Sequence, residues 1–135
     1  MIQIKQPLTG HHDIKATING VTTALKLKSI EWEVKGLQNH LYLKFDENIS
    51  IEIVAPQHIE KSRYSFGTVR STVDILFTTL IKGASQTYNL DRGSCTVETL
   101  LPEDNATLPA KVKIDGQVAA SGLILTLSGT LTVGK

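Results

Sequence analysis

The sequence predicts an all-β fold: an antiparallel β-sandwich of jelly-roll or Ig-like type, with a β-barrel as the alternative. Three observations carry that expectation. First, 15 Thr, 13 Ile and 9 Val supply 37 of the 135 residues. Two heavy atoms on Cβ restrict χ1 in a helix and suit a pleated strand. Second, apolar residues alternate with polar ones, as at Leu123, Leu125 and Leu127, which is the period of a strand. Third, turn signals recur at intervals of roughly 8 to 15 residues, as in sandwiches and barrels. No linker or low-complexity segment interrupts the pattern, so residues 1–135 read as a single domain.

Taken in order, Ile2 to Gln6 reads as an edge strand. Asp13 to Ile18 pairs with the run from Val21 through Asn19-Gly20, because both central residues of a tight hairpin need positive φ. From Val21 to Lys35 the apolar parity changes near Lys28-Ser29; a strand does that only through a bulge, a bend or a crossing between sheets. His40 to Phe45 and Ile49 to Val54 form a hairpin around Asp46-Glu47-Asn48, with Leu41, Leu43, Phe45, Ile49, Ile51 and Ile53 inward and Lys44 and Glu52 outward.

The segment 55–67 is the main irregular stretch. Val69 to Ile81 marks a long strand, and Thr87 to Leu90 and Cys95 to Thr99 flank a turn at Asp91-Arg92-Gly93. Ala110 to Ile114 and Val118 onward form a hairpin around Asp115-Gly116, and Ser128-Gly129 is a break or turn. The total is about nine to eleven strands. A weak echo links ATINGVTTALKL (16–27) to VKIDGQVAASGLIL (112–125).

Composition narrows the function classes. Apolar types make 41% and charged types 20%, with 14 basic against 13 acidic residues. A soluble globular chain fits; disordered, collagen-like and coiled-coil classes do not. Bulk charge points to neither nucleic acid nor an anionic membrane. The charge-free stretch Gly116 to Gly134 is broken by glycines and hydroxyls and reads as strands, not as a membrane span. One cysteine, Cys95, makes no internal disulfide. The first residues lack a signal-peptide pattern. The expected location is therefore cytoplasmic or within an assembled particle, without secretion by a signal peptide.

Catalytic motifs are missing: no nucleophile elbow, phosphate loop, dinucleotide fingerprint or zinc-protease helix motif occurs. His11, His12 and Asp13 offer at best two ligands on one strand face, and His40 and His58 would have to complete a metal set. The expectation is no metal, no cofactor, and an exposed polar segment at 11–13. Glu31 and Glu33 flank Trp32 and lie about 7 Å apart by the strand rise. That separation falls among glycosidase carboxylate spacings, but a lysine-laced outer sheet face is the plainer reading, with Trp32 in the core. Cys95 shares parity with Val97 and reads as buried packing.

The segment Gln57 to Arg70 is the strongest recognition candidate. It gathers His58, Lys61, Arg63, Tyr64, Phe66 and Arg70, with Gly67 as a joint. Arg and Tyr are frequent at binding hot spots, and loops on rigid β scaffolds commonly recognise partners. Lys61, Arg63, Tyr64, Phe66 and Arg70 are therefore the expected partner-binding residues, and no catalytic residue is assigned.

Sheet edges supply the functional expectation. Natural edges are guarded by charge, proline or bulges, yet the C-terminal strands carry no charge before Lys135. Either they are central, or they pair with another copy. The expected function is a non-enzymatic structural or assembly subunit acting as a homo-oligomer or with other structural subunits. Its profile is of the type found in phage virion or tail-associated components. The alternative is a monomeric module binding a small-molecule ligand, carbohydrate or lipid. An enzyme ranks third.

Overall fold

The computed structural model describes residues 5–67, 72–120 and 122–135. Residues 2–4 of the expected edge strand Ile2 to Gln6, the inward Val69 and the expected binding residue Arg70 lie outside the described residues. Among the described residues all regular structure is β. Twelve strands run in chain order: β1 (Gln6–His12), β2 (Lys15–Ile18), β3 (Val21–Ala24), β4 (Leu27–Lys35), β5 (Gln38–Phe45), β6 (Ser50–Pro56), β7 (Ser62–Ser65), β8 (Asp74–Ile81), β9 (Ala84–Asn89), β10 (Arg92–Pro102), β11 (Thr107–Ala120) and β12 (Leu123–Gly134).

All ladders between these strands are antiparallel. The order is β7-β10-β11-β12-β1-β4-β5-β6-β8-β9, with β2 beside β12 and β3 beside β2. The sheet curls into a half-barrel. One half holds β4, β5, β6, β8 and β9; the other holds β7, β10, β11, β12, β2 and β3. β1 joins them: Gln6–Leu8 pair with Trp32–Ile30, while Thr9–His12 pair with Gly134–Leu131. Inward side chains from both halves form one core, centred on fully buried Phe77, Leu41, Leu43, Ile75, Leu108, Leu125, Leu127 and Leu131.

Local chemistry explains the hairpins. Asn19 and Gly20 have φ of 49° and 86°, and Lys82 and Gly83 have 52° and 80°. Both pairs are two-residue turns, closing Ile18 on Val21 and Ile81 on Ala84, with the twist that antiparallel strands require. The parity change between Val21 and Lys35 is a crossing. β3 stays beside β2, Leu25-Lys26 leaves the ladder, and β4 enters the other half with a register shift between Leu27 and Ser29.

Four sequence expectations need correction. Asp115-Gly116 is no turn; β11 runs straight through it. Gly116 faces inward, where a Cβ would meet Leu90 Cδ1 at 2.7 Å and Phe66 Cε2 at 2.8 Å, so packing rather than turning demands the glycine. Ser128-Gly129 is no break either. β12 is continuous, and Gly129 (φ 144°) makes room for the Ile14 backbone where β1 and β2 meet on the same side of β12. Asp91-Arg92-Gly93 is not a hairpin, because β9 pairs with β8 while β10 pairs with β11 and β7. The 16–27 and 112–125 echo therefore matches a true hairpin with a straight strand.

The fourth correction is partial: His11 and Asp13 are exposed as expected, but His12 is not. His12 ends the strand that joins the two halves and is half-buried, its ring edge-on to Phe45 with centroids 5.2 Å apart. Its Nδ1 accepts the Ile14 N–H at 2.8 Å. Asp13 N–H donates to Thr130 O (3.1 Å), and Asp13 Oδ1 accepts the Thr130 N–H (2.6 Å). Burial pulls the His12 pKa below the ordinary 6.5, against opposing contributions from a hydrogen bond to the Leu25 backbone and from Asp13; His11 adds to the lowering.

Because the folded value lies below the unfolded one, the unfolded chain binds the His12 proton more readily. His12 therefore contributes stability that is present above the unfolded value and is lost as pH falls through the folded value. The urea midpoint should fall as pH drops from about 7.5 to about 5. His12→Asn, which keeps a short acceptor near Ile14, should flatten that slope. An unchanged slope in His12→Asn would count against this account.

Candidate functional site

The described part of the segment, residues 57–67, is built differently from a free loop. Gln57 N–H donates to Leu37 O (3.0 Å), and Thr107 N–H donates to Gln57 O (2.8 Å). His58 forms an isolated bridge with Thr107, and Ile59 is buried. The start of the segment thus ties the two sheet halves together. Ser62–Ser65 form β7, an edge strand on β10 with Tyr64 opposite Cys95 and Arg63 opposite Thr96.

Of the expected binding residues, Lys61 and Arg63 are exposed, and Arg63 Nε–H donates to Ser94 Oγ at 3.1 Å. Tyr64 is half-buried, and its hydroxyl donates to Glu60 O at 2.7 Å. Phe66 is in the core. Its ring packs at Gly116, and its N–H donates to Gly93 O at 2.9 Å, which withdraws it from any recognition surface. Gly67 is no loose joint, since it has φ 76° and a Cβ there would drive into the Asp91 carbonyl. Cys95 is buried, and burial pushes its thiol up to about 12. That suppresses thiolate chemistry at neutral pH.

A denser group of polar side chains stands on the outer face of β4, β5 and β6. Cross-strand register puts Glu31 opposite Tyr42 and Tyr42 opposite Glu52. In the adjoining row Glu33 lies opposite His40. Tyr42 hydroxyl donates to Glu33 Oε1 at 2.7 Å, and His40 Nδ1 lies 2.7 Å from Glu52 Oε2. The two rings are stacked, 6.1 Å apart and 16° from parallel. Lys5 Nζ sits 4.3 Å above the Tyr42 ring, a cation–π seat.

Burial and the neighbouring carboxylates of Glu33 and Glu52 raise the Tyr42 pKa, so the phenol stays protonated and donates. Sequence reading pairs Glu31 with Glu33 and names His40 and Glu52 separately, but it does not join them with Tyr42, because that convergence depends on three strands in register. The histidines weighed as metal ligands are dispersed: His12 lies against Phe45, His40 on this outer face, and His58 beside Thr107. Among the described residues, no group of three or more His, Cys, Asp or Glu is placed to hold a metal.

A third feature is the sheet end where hairpin tips meet. Ile18 and Asn19 (β2–β3), Thr79, Leu80 and Ile81 (β8–β9), and Gly122 and Leu123 (β11–β12) line a groove of about 260 Å³. Val21, next to Ile18 across the hairpin, is 67% exposed, and Leu80 is 46% exposed. Two edge strands lie beside it. β3 (Val21-Thr22-Thr23-Ala24) is wholly exposed, and β9 (Ala84 to Asn89) is exposed except for half-buried Tyr88. Neither carries a charge.

No protein family, curated protein or solved structure matches this chain. Fold and surfaces together define an all-β antiparallel chain with two uncharged edge strands, β3 and β9, a polar outer face and an apolar groove. Among the described residues no helix is long and apolar enough to cross a membrane.

Proposed function

We propose that the chain is a non-enzymatic assembly subunit whose copies join through their sheet edges. The uncharged C-terminal strand is not such an edge. β12 pairs with β11 on one side and with β1 and β2 on the other, so its lack of charge reflects a central position. What supports the reading is the pair of uncharged, exposed edges, β3 and β9. In a hairpin closed by two residues the flanking pair is hydrogen-bonded, and outward-pointing residues alternate from there. Thr22 and Ala24 of β3, and Ser85, Thr87 and Asn89 of β9, therefore aim N–H and C=O groups away from their own sheet. Unguarded rows of this kind pair with further strands. A small structural component of a virion or phage tail is the particle class such a subunit suits.

The test is native mass. Sedimentation velocity at tens of micromolar should show an oligomer for the native chain. Thr22→Pro with Ser85→Pro removes one outward donor from each edge and no internal ladder bond, and should give a folded monomer. A native monomer throughout would sink the assembly reading. A second reading is favoured by the apolar groove: a monomeric module taking a short alkyl or lipid chain against Ile18, Leu80, Ile81 and Leu123. Tyr64 and Tyr88 do not line that groove, which disfavours stacking of a sugar there. Saturable binding of a fluorescent fatty acid by the monomer would establish this alternative.

A further inference from the structure

The strand order leaves β7, β3 and β9 as edge strands among the described residues. They are not equivalent. β7 is guarded, because exposed Lys61 precedes it and exposed Arg63 stands in it, and cations on an edge deter a further strand. β3 turns only Thr22 and Ala24 outward. β9 is longer, carries no charge, and turns Ser85, Thr87 and Asn89 outward. That outward set is symmetric about Thr87.

We propose that β9 pairs antiparallel with β9 of a second copy of this chain across a two-fold axis at Thr87, so that one sheet runs through both copies. In that register Thr87 faces its twin and Ser85 faces the partner's Asn89. Every outward residue then exchanges both backbone bonds with another outward residue, giving about six bonds between the chains. Moving the axis to Gln86 or Tyr88 leaves about four, and so does pairing β9 with β3. The side chains fit the same occupant. A two-fold axis sets residues near their own copies, so a charge within β9 would be repelled by its twin, and β9 has none. On the outer face Thr87 Oγ1 already lies 2.9 Å from Thr78 Oγ1. A hydroxyl both donates and accepts, so this row continues through the partner's Thr87 to the partner's Thr78, a cross-strand pairing of the stabilising kind. On the other face half-buried Tyr88 stands beside buried Phe77. The partner's Gln86 lies opposite it in a closely spaced pair and covers the open side of the ring. Exposed Lys82 precedes β9 and exposed Asp91 follows it, so the antiparallel direction brings each lysine to the end where the partner's aspartate stands. Arg92, next in the chain, enters the β10 ladder opposite Gln117. Such a contact is isologous and closes at two chains. It rests on the assembly reading and names the edge, direction and register of one joint, leaving β3 to join the pairs.

The experiment places a charge at the axis of the full chain. Thr87→Lys and Thr87→Glu should each raise the dissociation constant about fivefold or more, because the new charge meets its twin. Mixed in equal amounts, the two variants should associate at least as tightly as the native chain, which happens only where residue 87 faces itself. Thr87→Cys under a mild oxidant should give a covalent dimer, since directly opposed Cα atoms about 5.5 Å apart fit a disulfide, and the native Cys95 is buried. Ser85→Cys alone should cross-link little, but it should cross-link when mixed with Asn89→Cys. If a charged variant fails to fold, the cysteine variants decide. A native oligomer that ignores both charges, or gives no Thr87→Cys cross-link, overturns this joint and leaves β3 as the edge in use. A native chain that is monomeric at tens of micromolar overturns the assembly reading, and this joint with it.

Discussion

Asn39→Asp should be the most damaging single-atom exchange in this chain, costing about 3–5 kcal/mol. Asn39 is completely buried. Its Nδ2 lies 2.9 Å from Pro56 O, 3.1 Å from Gln57 O and 2.8 Å from Thr107 O. Two N–H groups therefore serve three converging carbonyls. The clasp binds the β4–β5 hairpin to the end of β6 and to the start of β11, across the two sheet halves. An aspartate would bring acceptor-only oxygens carrying a negative charge against three carbonyl acceptors.

Asn39→Ala should cost less, about 2 kcal/mol. Gln57 O keeps its second donor, Thr107 N–H, and the alanine also removes Oδ1, which is buried without a partner. Urea denaturation at neutral pH checks the order native, Ala, Asp. An aspartate variant as stable as the alanine one would show that the carbonyls do not converge on this site.

What the sequence reveals depends on how locally each feature is determined. Asn19-Gly20 is readable because a hairpin turn is a two-residue problem of positive φ. The inward set from Leu41 to Ile53 is readable because parity is a property of one strand at a time. Asp115-Gly116 misleads because it looks identical to a turn, while the reason for its glycine, Phe66 and Leu90, arrives from other strands. Gly129 misleads for the same reason, with Ile14 as the distant cause. The absence of charge from Leu123 to Val133 was ambiguous between a central strand and a bare edge, and only pairing partners decide.

The candidate surfaces divide in the same way. Glu31 and Glu33 are visible as an alternating pair, but His40, Tyr42 and Glu52 join them only through register. Segment 57–70 attracted attention by its Arg and Tyr content, yet Phe66 belongs to the core, and Gln57 and Ile59 help close it. Composition cannot distinguish an aromatic that meets a partner from one that seals its own fold.

The second large effect is expected at Gly93. It has φ 89° and faces Gly116 across the β10–β11 ladder. A Cβ at Gly93 would enter the Asp115 carbonyl oxygen and come within 2.9 Å of Gly116 Cα. Both obstacles are backbone, so neither can rotate away. Gly93→Ala should cost about 3 kcal/mol or more, from left-handed strain plus the displaced ladder. Gly20→Ala is the control. Gly20 has nearly the same φ, 86°, but no atom lies within 4 Å of its added Cβ, so it should lose only about 1 kcal/mol. The difference between the two isolates close packing from φ strain. Equal losses of stability in the two variants, read from urea midpoints, would remove the packing argument and with it the reason for a glycine pair at this crossing.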